Sequence, residues 1–206
     1  MKNIKLLQGF TEHFNRNLFL YAITLLFMCI GIVIGVYSVK YMDVSVKTEL
    51  VKFLMSCSSS LNSESIDKKY ILYNALKNNF SIILVIWFLG LTLLGSPLIL
   101  VVDIIKGYTI GFTSSIIISG FGTKGVLLNL LAIFPQNLIY LPCIIISSVL
   151  AIEFSISLLK NKSMNREGNL IQIISYSSIY AFLVIIMILG FIIEIYFTPN
   201  MLKILV

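Results

Sequence analysis

A run of about 35 residues, Gly125 to Leu159, contains a single charged side chain, Glu153. At roughly 1.5 Å per residue one straight helix of this length would extend about 52 Å. The hydrocarbon core of a bilayer is only about 30 Å thick. The run is therefore too long for one straight transmembrane helix and too apolar for a soluble segment.

Pro135 interrupts this run, and two side-chain amides, Gln136 and Asn137, follow it. Proline lacks a backbone donor and clashes with the preceding helical turn. We therefore expect a half-helix over residues 126–134, a break at Pro135 and a full crossing over residues 136–159. Irregular backbone at membrane depth persists only where protein or a watery cavity covers it, and Gln136 and Asn137 can bond the groups that a break exposes. A loop at headgroup level is the alternative that the sequence leaves open.

The composition places the whole chain in the membrane class. Hydrophobic residues make up 58% of its 206 residues, charged residues 12%, and the mean hydropathy is +0.99. A soluble domain carries about a quarter charged residues. The net charge of +6 does not indicate a nucleic-acid partner, because the basic residues are spread over short segments that would meet lipid headgroups. Three cysteines and one histidine show no ligand spacing, so neither a metal site nor a cofactor is expected.

The fold class predicted from these patterns is all-α, a polytopic membrane helix bundle forming a single domain. About five transmembrane helices are expected, covering residues 18–39, 80–102, 107–122, 136–159 and 170–193. The third is short and rich in small residues, including Gly107 and Gly111, which predicts a central, tightly packed helix. Gly31 and Gly35 in the first have the small-xxx-small spacing that lets another helix approach closely.

Residues 41–78 form the only sizeable polar segment. Two stretches of helical periodicity flank a polar hinge over residues 56–65, which predicts an amphipathic hairpin. Basic residues precede the first and last crossings, at Arg16 and Arg166 among others, which favours a cytoplasmic N-terminus and an outward hairpin. We expect this hairpin to dock partners.

The expected location of each charge near the membrane follows from its position relative to the crossings. Glu153 lies close to the end of its crossing, so a headgroup-level pairing with Lys106 or Lys160 is favoured over a functional site. Asp103 and Lys106 are expected in the loop between the second and third crossings. His13 precedes the first crossing and is expected at solvent or headgroup level.

Nucleophile elbows, zinc-protease motifs and phosphate-binding loops are absent from the sequence, so we do not expect an enzyme.

Four motifs together resemble the stage II sporulation protein M family. They are Gly-Ser-Pro at 95–97, Lys-Gly-x-x-x-Gly-Phe at 106–112, Gly-Thr-Lys-Gly at 122–125 and Ala-Ile-Phe-Pro-Gln-Asn at 132–137. The resemblance implies a non-enzymatic membrane protein needed for engulfment of the forespore. It further implies a scaffold that anchors sporulation proteins D and P, which degrade septal peptidoglycan.

A second function remains open at this stage. A transporter or permease subunit would place broken helices around a polar site, with Gln136 and Asn137 lining it. The sequence shows neither an inverted repeat nor several charges within its spans. A homo-oligomer is compatible with either function.

Overall fold

The structure, a computed structural model, describes residues 12–63, 80–92, 94–160 and 166–205. These residues are almost entirely helical, which confirms the all-α class. The helices are α1 (Leu18–Lys40), α2 (Val44–Ser63), α3 (Ser81–Gly90), α4 (Gly95–Phe121), α5 (Thr123–Leu128), a π-helix (Asn129–Ile133), α6 (Phe134–Lys160) and α7 (Arg166–Leu205).

Four helices in the described part of the chain are long and apolar enough to span a membrane: α1, α4, α6 within Phe134–Leu159, and α7 within Ile171–Ile188. The fifth apolar helix, α3, has only 10 residues, about 15 Å, or half the hydrocarbon thickness. Many apolar side chains on these helices are exposed, including Phe19 and Phe182, as expected where lipid replaces water.

Helix α1 runs parallel to α4, since Gly31 abuts Ile104 and Gly35 abuts Tyr108 further along both helices. Helix α6 runs antiparallel to α4 and to α7. The N-terminus of α1, the C-terminus of α6 and the N-terminus of α7 therefore meet at one end of the bundle. Arg16 and the beginning of α7, which the sequence predicts on one side of the membrane, lie at the same end.

Glycines set the spacing between α1 and α4. A Cβ added at Gly31, Gly35, Gly107 or Gly111 would overlap a backbone carbonyl oxygen of the opposite helix. The carbonyls therefore lie along the glycine Cα–H directions, the geometry of Cα–H···O contacts. Gly31 and Gly35, the pair with small-xxx-small spacing, thus lie in a close helix interface, and they face Gly107 and Gly111 of α4.

The predicted boundary between the second and third crossings is wrong. Residues 91–94 separate α3 from α4, and α4 then continues without interruption through residues 103–106. Pro97 is the third residue of α4, in the first turn, where backbone N–H groups have no helical partner and proline is tolerated. The loop charges Asp103 and Lys106 are instead buried in the middle of this helix.

The predicted break at Pro135 is also wrong, because residues 123–160 are helical throughout. The predicted half-helix is α5 followed by the π-helix, which joins α6 directly. In the π-helix the Phe134 N–H bonds the Asn129 carbonyl five residues back. This wider turn accommodates the ring of Pro135, which lacks an N–H. In an α-helical turn the ring would clash with the carbonyl four residues back. Pro142 lies inside α6, which also continues past it.

Two further boundaries differ from the prediction. The expected hinge over residues 56–65 is helical as far as Ser63 within α2, and the second half of the hairpin, residues 64–79, lies outside the described residues. Helix α7 does not end at Glu194 or Pro199 but continues to Leu205.

Candidate functional site: polar groups buried between the spanning helices

Asp103 and Lys106 are the charged side chains that α4 buries in the bundle. Asp103 is 0% exposed and Lys106 is 8% exposed. Their spacing of three residues puts them on the same side of the helix. Both are carried by a helix whose flanking positions, such as Ile105, remain exposed to lipid.

The Asp103 carboxylate is held by α6. The Ser148 hydroxyl donates to Asp103 Oδ1 at 2.7 Å, while Oδ2 is buried without a hydrogen-bond partner among the described residues. Ser147 and Ser148 are both fully buried. The Ser147 hydroxyl donates to the Cys143 carbonyl at 2.7 Å, and the Tyr180 hydroxyl on α7 donates to the Ser147 carbonyl. One hydrogen bond from α6 thus holds the Asp103 carboxylate, and Tyr180 of α7 is bonded to the neighbouring residue of α6.

These charges lie level with the middle of a helix long enough to span the membrane. Gly107, next to Lys106, packs against the backbone of Met28, which is close to the centre of the 23-residue α1. A charged side chain at mid-bilayer costs about 2.5–3.5 kcal/mol on insertion scales. Such a residue is retained where a counter-charge, a proton or a ligand compensates it. The Asp103 and Lys106 pair therefore qualifies as a candidate site.

The chemistry available to this cluster is limited to holding a proton or a charge. Asp103 can accept two further hydrogen bonds at Oδ2, and Lys106 supplies an ammonium one helical turn away. The hydroxyls of Ser148 and Tyr180 are alcohol and phenol donors without an adjacent imidazole. The arrangement is therefore suited to ion pairing or proton exchange rather than to nucleophilic chemistry.

Aromatic side chains pack between α3, α6 and α7. The Tyr176 hydroxyl donates to the Trp87 carbonyl at 3.1 Å, and Trp87 Nε1 donates to the Ser177 hydroxyl at 3.3 Å. The Tyr176 ring stacks on Phe154 at a centroid distance of 4.3 Å and tilts against Tyr180 at 4.7 Å. These contacts bond the short α3 directly to α7 and pack α7 against α6.

Glu153 is the centre of a second polar cluster, at the end of the bundle where α1 begins. Its Oε2 lies 2.9 Å from His13 Nε2 and accepts a hydrogen bond from Asn17 Nδ2 at 3.0 Å. Arg16 forms an ion pair with Glu153 Oε1. The predicted headgroup-level position is consistent with the 32% exposure of the Glu153 side chain. The sequence does not predict these three N-terminal partners: it favours Lys106 or Lys160 as the partner of Glu153, and solvent or headgroup level for His13.

Of the three residues predicted at a helix break, Asn137 lines the wall of a groove, together with Asn129 of the π-helix. Asn137 Nδ2 donates to the Ile133 carbonyl at 2.9 Å, as expected for an amide that compensates proline, whereas Gln136 Oε1 is buried without a described partner. Asn129 Nδ2 donates to the Ser114 carbonyl at 2.9 Å and ties the π-helix to α4. The groove encloses about 390 Å³ between α4 and the π-helix and α6.

The structure thus separates the predicted site residues. Gly107 and Gly111 face α1, Gln136 and Asn137 lie beside the π-helix, and Glu153 lies at the N-terminal end of the bundle. The central cluster was missed because its members are distant in sequence. The available signal was an Asp-x-x-Lys spacing in an otherwise apolar stretch, together with the Ser147–Ser148 pair in the next one.

A family model described as stage II sporulation protein M matches residues 24–199 of the chain. The chain belongs to the stage II sporulation protein M family. It is therefore a sporulation-related, multi-pass membrane protein. The matched region of this family member contains Asp103, Lys106 and Glu153, while His13, Arg16 and Asn17 precede it. Searches of curated proteins and of solved structures gave no match.

Proposed function

We propose that the chain is a non-enzymatic membrane scaffold of the engulfment machinery. It would anchor sporulation proteins D and P, which degrade septal peptidoglycan, in the plasma membrane at the sporulation septum. The N-terminus would face the cytoplasm and α2 would face outward. Family membership carries this proposal, and the geometry of the bundle supports it in two ways.

The first support is the rigidity of the bundle. The glycine faces of α1 and α4 bring two backbones into direct contact, and the aromatic contacts around Tyr176 fix α3, α6 and α7. Helices packed in this way are suited to holding other proteins at a fixed position and orientation.

The second support is the placement of α2. Val51 of this helix packs over Gly120, near the end of α4 that is opposite the Glu153 cluster. Val44 and Val46 at the start of α2 are 79% and 45% exposed. A helix that packs on the bundle through Val51 and leaves apolar side chains exposed at its beginning is a suitable docking surface for the hydrolases.

Copurification from sporulating cells tests this proposal. We expect a tagged wild-type chain to recover both hydrolases, and the double variant Val44→Glu/Val46→Glu to recover at least tenfold less. The matched control, Ser45→Glu/Thr48→Glu, adds the same charge at exposed positions of the same helix and should recover wild-type amounts. Failure of the wild-type chain to recover either hydrolase would contradict the scaffold proposal. Equal recovery by both double variants would contradict only the assignment of the surface.

The buried Asp103 and Lys106 favour a second candidate, an ion-coupled or proton-coupled membrane subunit. Intramembrane ionisable residues commonly mark such pathways. Proton flux into proteoliposomes under an imposed potential would distinguish it from the scaffold. Flux that is present in the wild-type chain and lost in Asp103→Asn would favour transport, and equal flux in protein-free liposomes would reject it.

A further inference from the structure

An apolar groove runs between the beginning of α1 and the middle of α6. It encloses about 670 Å³ and opens sideways toward lipid. Its walls consist of Phe14, Leu18, Tyr21, Ala22, Leu25, Leu26, Pro142, Ile145 and Ile146. Tyr21 is the single residue with a polar side-chain group among these walls.

The length of the groove matches one leaflet of a bilayer. From Phe14 to Leu26 it extends about 18 Å along the helical direction. Half of a hydrocarbon core of about 30 Å is about 15 Å. A transmembrane helix of a partner would need a groove about twice as long, so this one is suited to a chain that enters from one surface and ends at mid-bilayer.

The mouth of the groove is polar. Arg16 lies in sequence between Phe14 and Leu18 of the groove wall, and its side chain is 68% exposed. Its guanidinium offers five donors, of which the Glu153 ion pair occupies only part. His13 and Asn17 contact the same carboxylate. A planar guanidinium at the membrane surface is well suited to a phosphate group.

Tyr21 supplies an independent indication of a ligand. The residue is 8% exposed and lines the groove, yet its hydroxyl is buried without a hydrogen-bond partner among the described residues. Buried hydroxyls in membrane proteins normally find an acceptor, because no water compensates them. The ester carbonyls of a phospholipid lie at this depth, between phosphate and acyl chain.

We propose that this groove binds one glycerophospholipid from the leaflet on the N-terminal side. The phosphate of this lipid contacts Arg16, and one of its ester carbonyls accepts a hydrogen bond from the Tyr21 hydroxyl. An acyl chain lies along Ala22 and Ile145. The lipid covers the seam between α1 and α6 at the level where Pro142 lies inside α6.

Native mass spectrometry of the detergent-solubilised full chain tests this site. We expect the wild-type protein to retain one phospholipid mass, and Ala22→Trp, which fills the groove from an exposed position, to reduce that species at least fivefold. Val33→Trp is the matched control, since Val33 lies three turns later on the same exposed stripe of α1, beyond the groove, and should retain the lipid.

The nature of the ligand is tested by exchange in nanodiscs. Added phosphatidylglycerol should occupy the wild-type site, and diacylglycerol, which lacks the phosphate, should occupy it at least fivefold less. Tyr21→Phe should weaken retention without changing the fold, as judged by Trp87 fluorescence. A wild-type protein without bound lipid, or equal retention by Ala22→Trp and Val33→Trp, would overturn the proposal. So would a dimer signal that Ala22→Trp abolishes, since a second copy would then occupy the groove.

Discussion

Substitution of Gly107 by alanine tests how closely α1 and α4 are packed. The added methyl group would lie 3.0 Å from the Ile32 backbone nitrogen and would overlap the Met28 carbonyl oxygen. Ordinary contacts between non-bonded heavy atoms are about 3.5–4.0 Å, so the two helices must separate by about 1 Å. A gap of this size forfeits about a quarter to a half of each contact energy across the interface.

The expected cost follows from two opposing terms. Overpacking costs about 1–3 kcal/mol, and replacing a helical glycine by alanine returns up to about 1 kcal/mol. We therefore expect Gly107→Ala to lower the free energy of unfolding by about 1–2 kcal/mol. Gly31→Ala should cost a similar amount, because its methyl group would overlap the Ile104 carbonyl oxygen. The double variant should cost less than the sum, since one separation of the helices accommodates both methyl groups.

Reversible unfolding in mixed detergent micelles, followed by the fluorescence of Trp87, measures these differences. Trp87 is the single tryptophan and lies on α3, away from the α1–α4 interface, so it reports global unfolding. Gly120→Ala is the control, because its methyl group would meet the Val51 side chain rather than backbone. An unfolding free energy of Gly107→Ala equal to that of Gly120→Ala, or strictly additive costs in the double variant, would refute the reasoning.

Three further predictions concern side-chain hydrogen bonds and ion pairs. Ser148→Ala removes the hydrogen bond to Asp103 Oδ1 and should destabilise the protein by about 1–3 kcal/mol, and Asp103→Asn in the same background should recover part of this loss in the unfolding assay. Glu153→Gln removes the ion pair that holds the N-terminal segment, so hydrogen exchange of residues 12–17 should accelerate several-fold. The free energy of unfolding should fall by no more than about 1 kcal/mol, because these groups are partly exposed. Asn129→Leu removes the bond to the Ser114 carbonyl and should cost about 1 kcal/mol by the same fluorescence measurement, whereas an unchanged midpoint would mean that this bond does not stabilise the π-helix.

Local sequence patterns predicted much of the fold because a span leaves a continuous signal. The first crossing is a charge-free run of sufficient length, and α1 begins at the predicted residue. The glycine spacings at Gly31 and Gly107 predicted close packing, although they did not indicate that the two faces meet. Family motifs predicted membership that the family model then confirmed.

The errors arose where a distant residue decides the outcome. Asp103 was assigned to a loop because a charge interrupts an apolar run, but Ser148, 45 residues later, bonds it inside the bundle. Glu153 is compensated by His13 and Arg16, which lie about 140 positions earlier in the chain. Pro135 indicated an irregular turn correctly, yet proline alone does not distinguish a break from a π-helix.

The central structural claim is that α4 crosses the membrane without interruption and places Asp103 and Lys106 at mid-bilayer. Cysteine labelling at Ile105, which is 56% exposed on this helix, tests it most directly. In a variant lacking the three native cysteines, Ile105→Cys in intact membranes should resist a membrane-impermeant maleimide from both sides. Tyr41→Cys, 76% exposed just beyond α1, should react when the reagent is on its side of the membrane. Rapid labelling of Ile105→Cys in intact membranes would contradict the claim and would indicate that residues 103–106 form a loop outside the membrane.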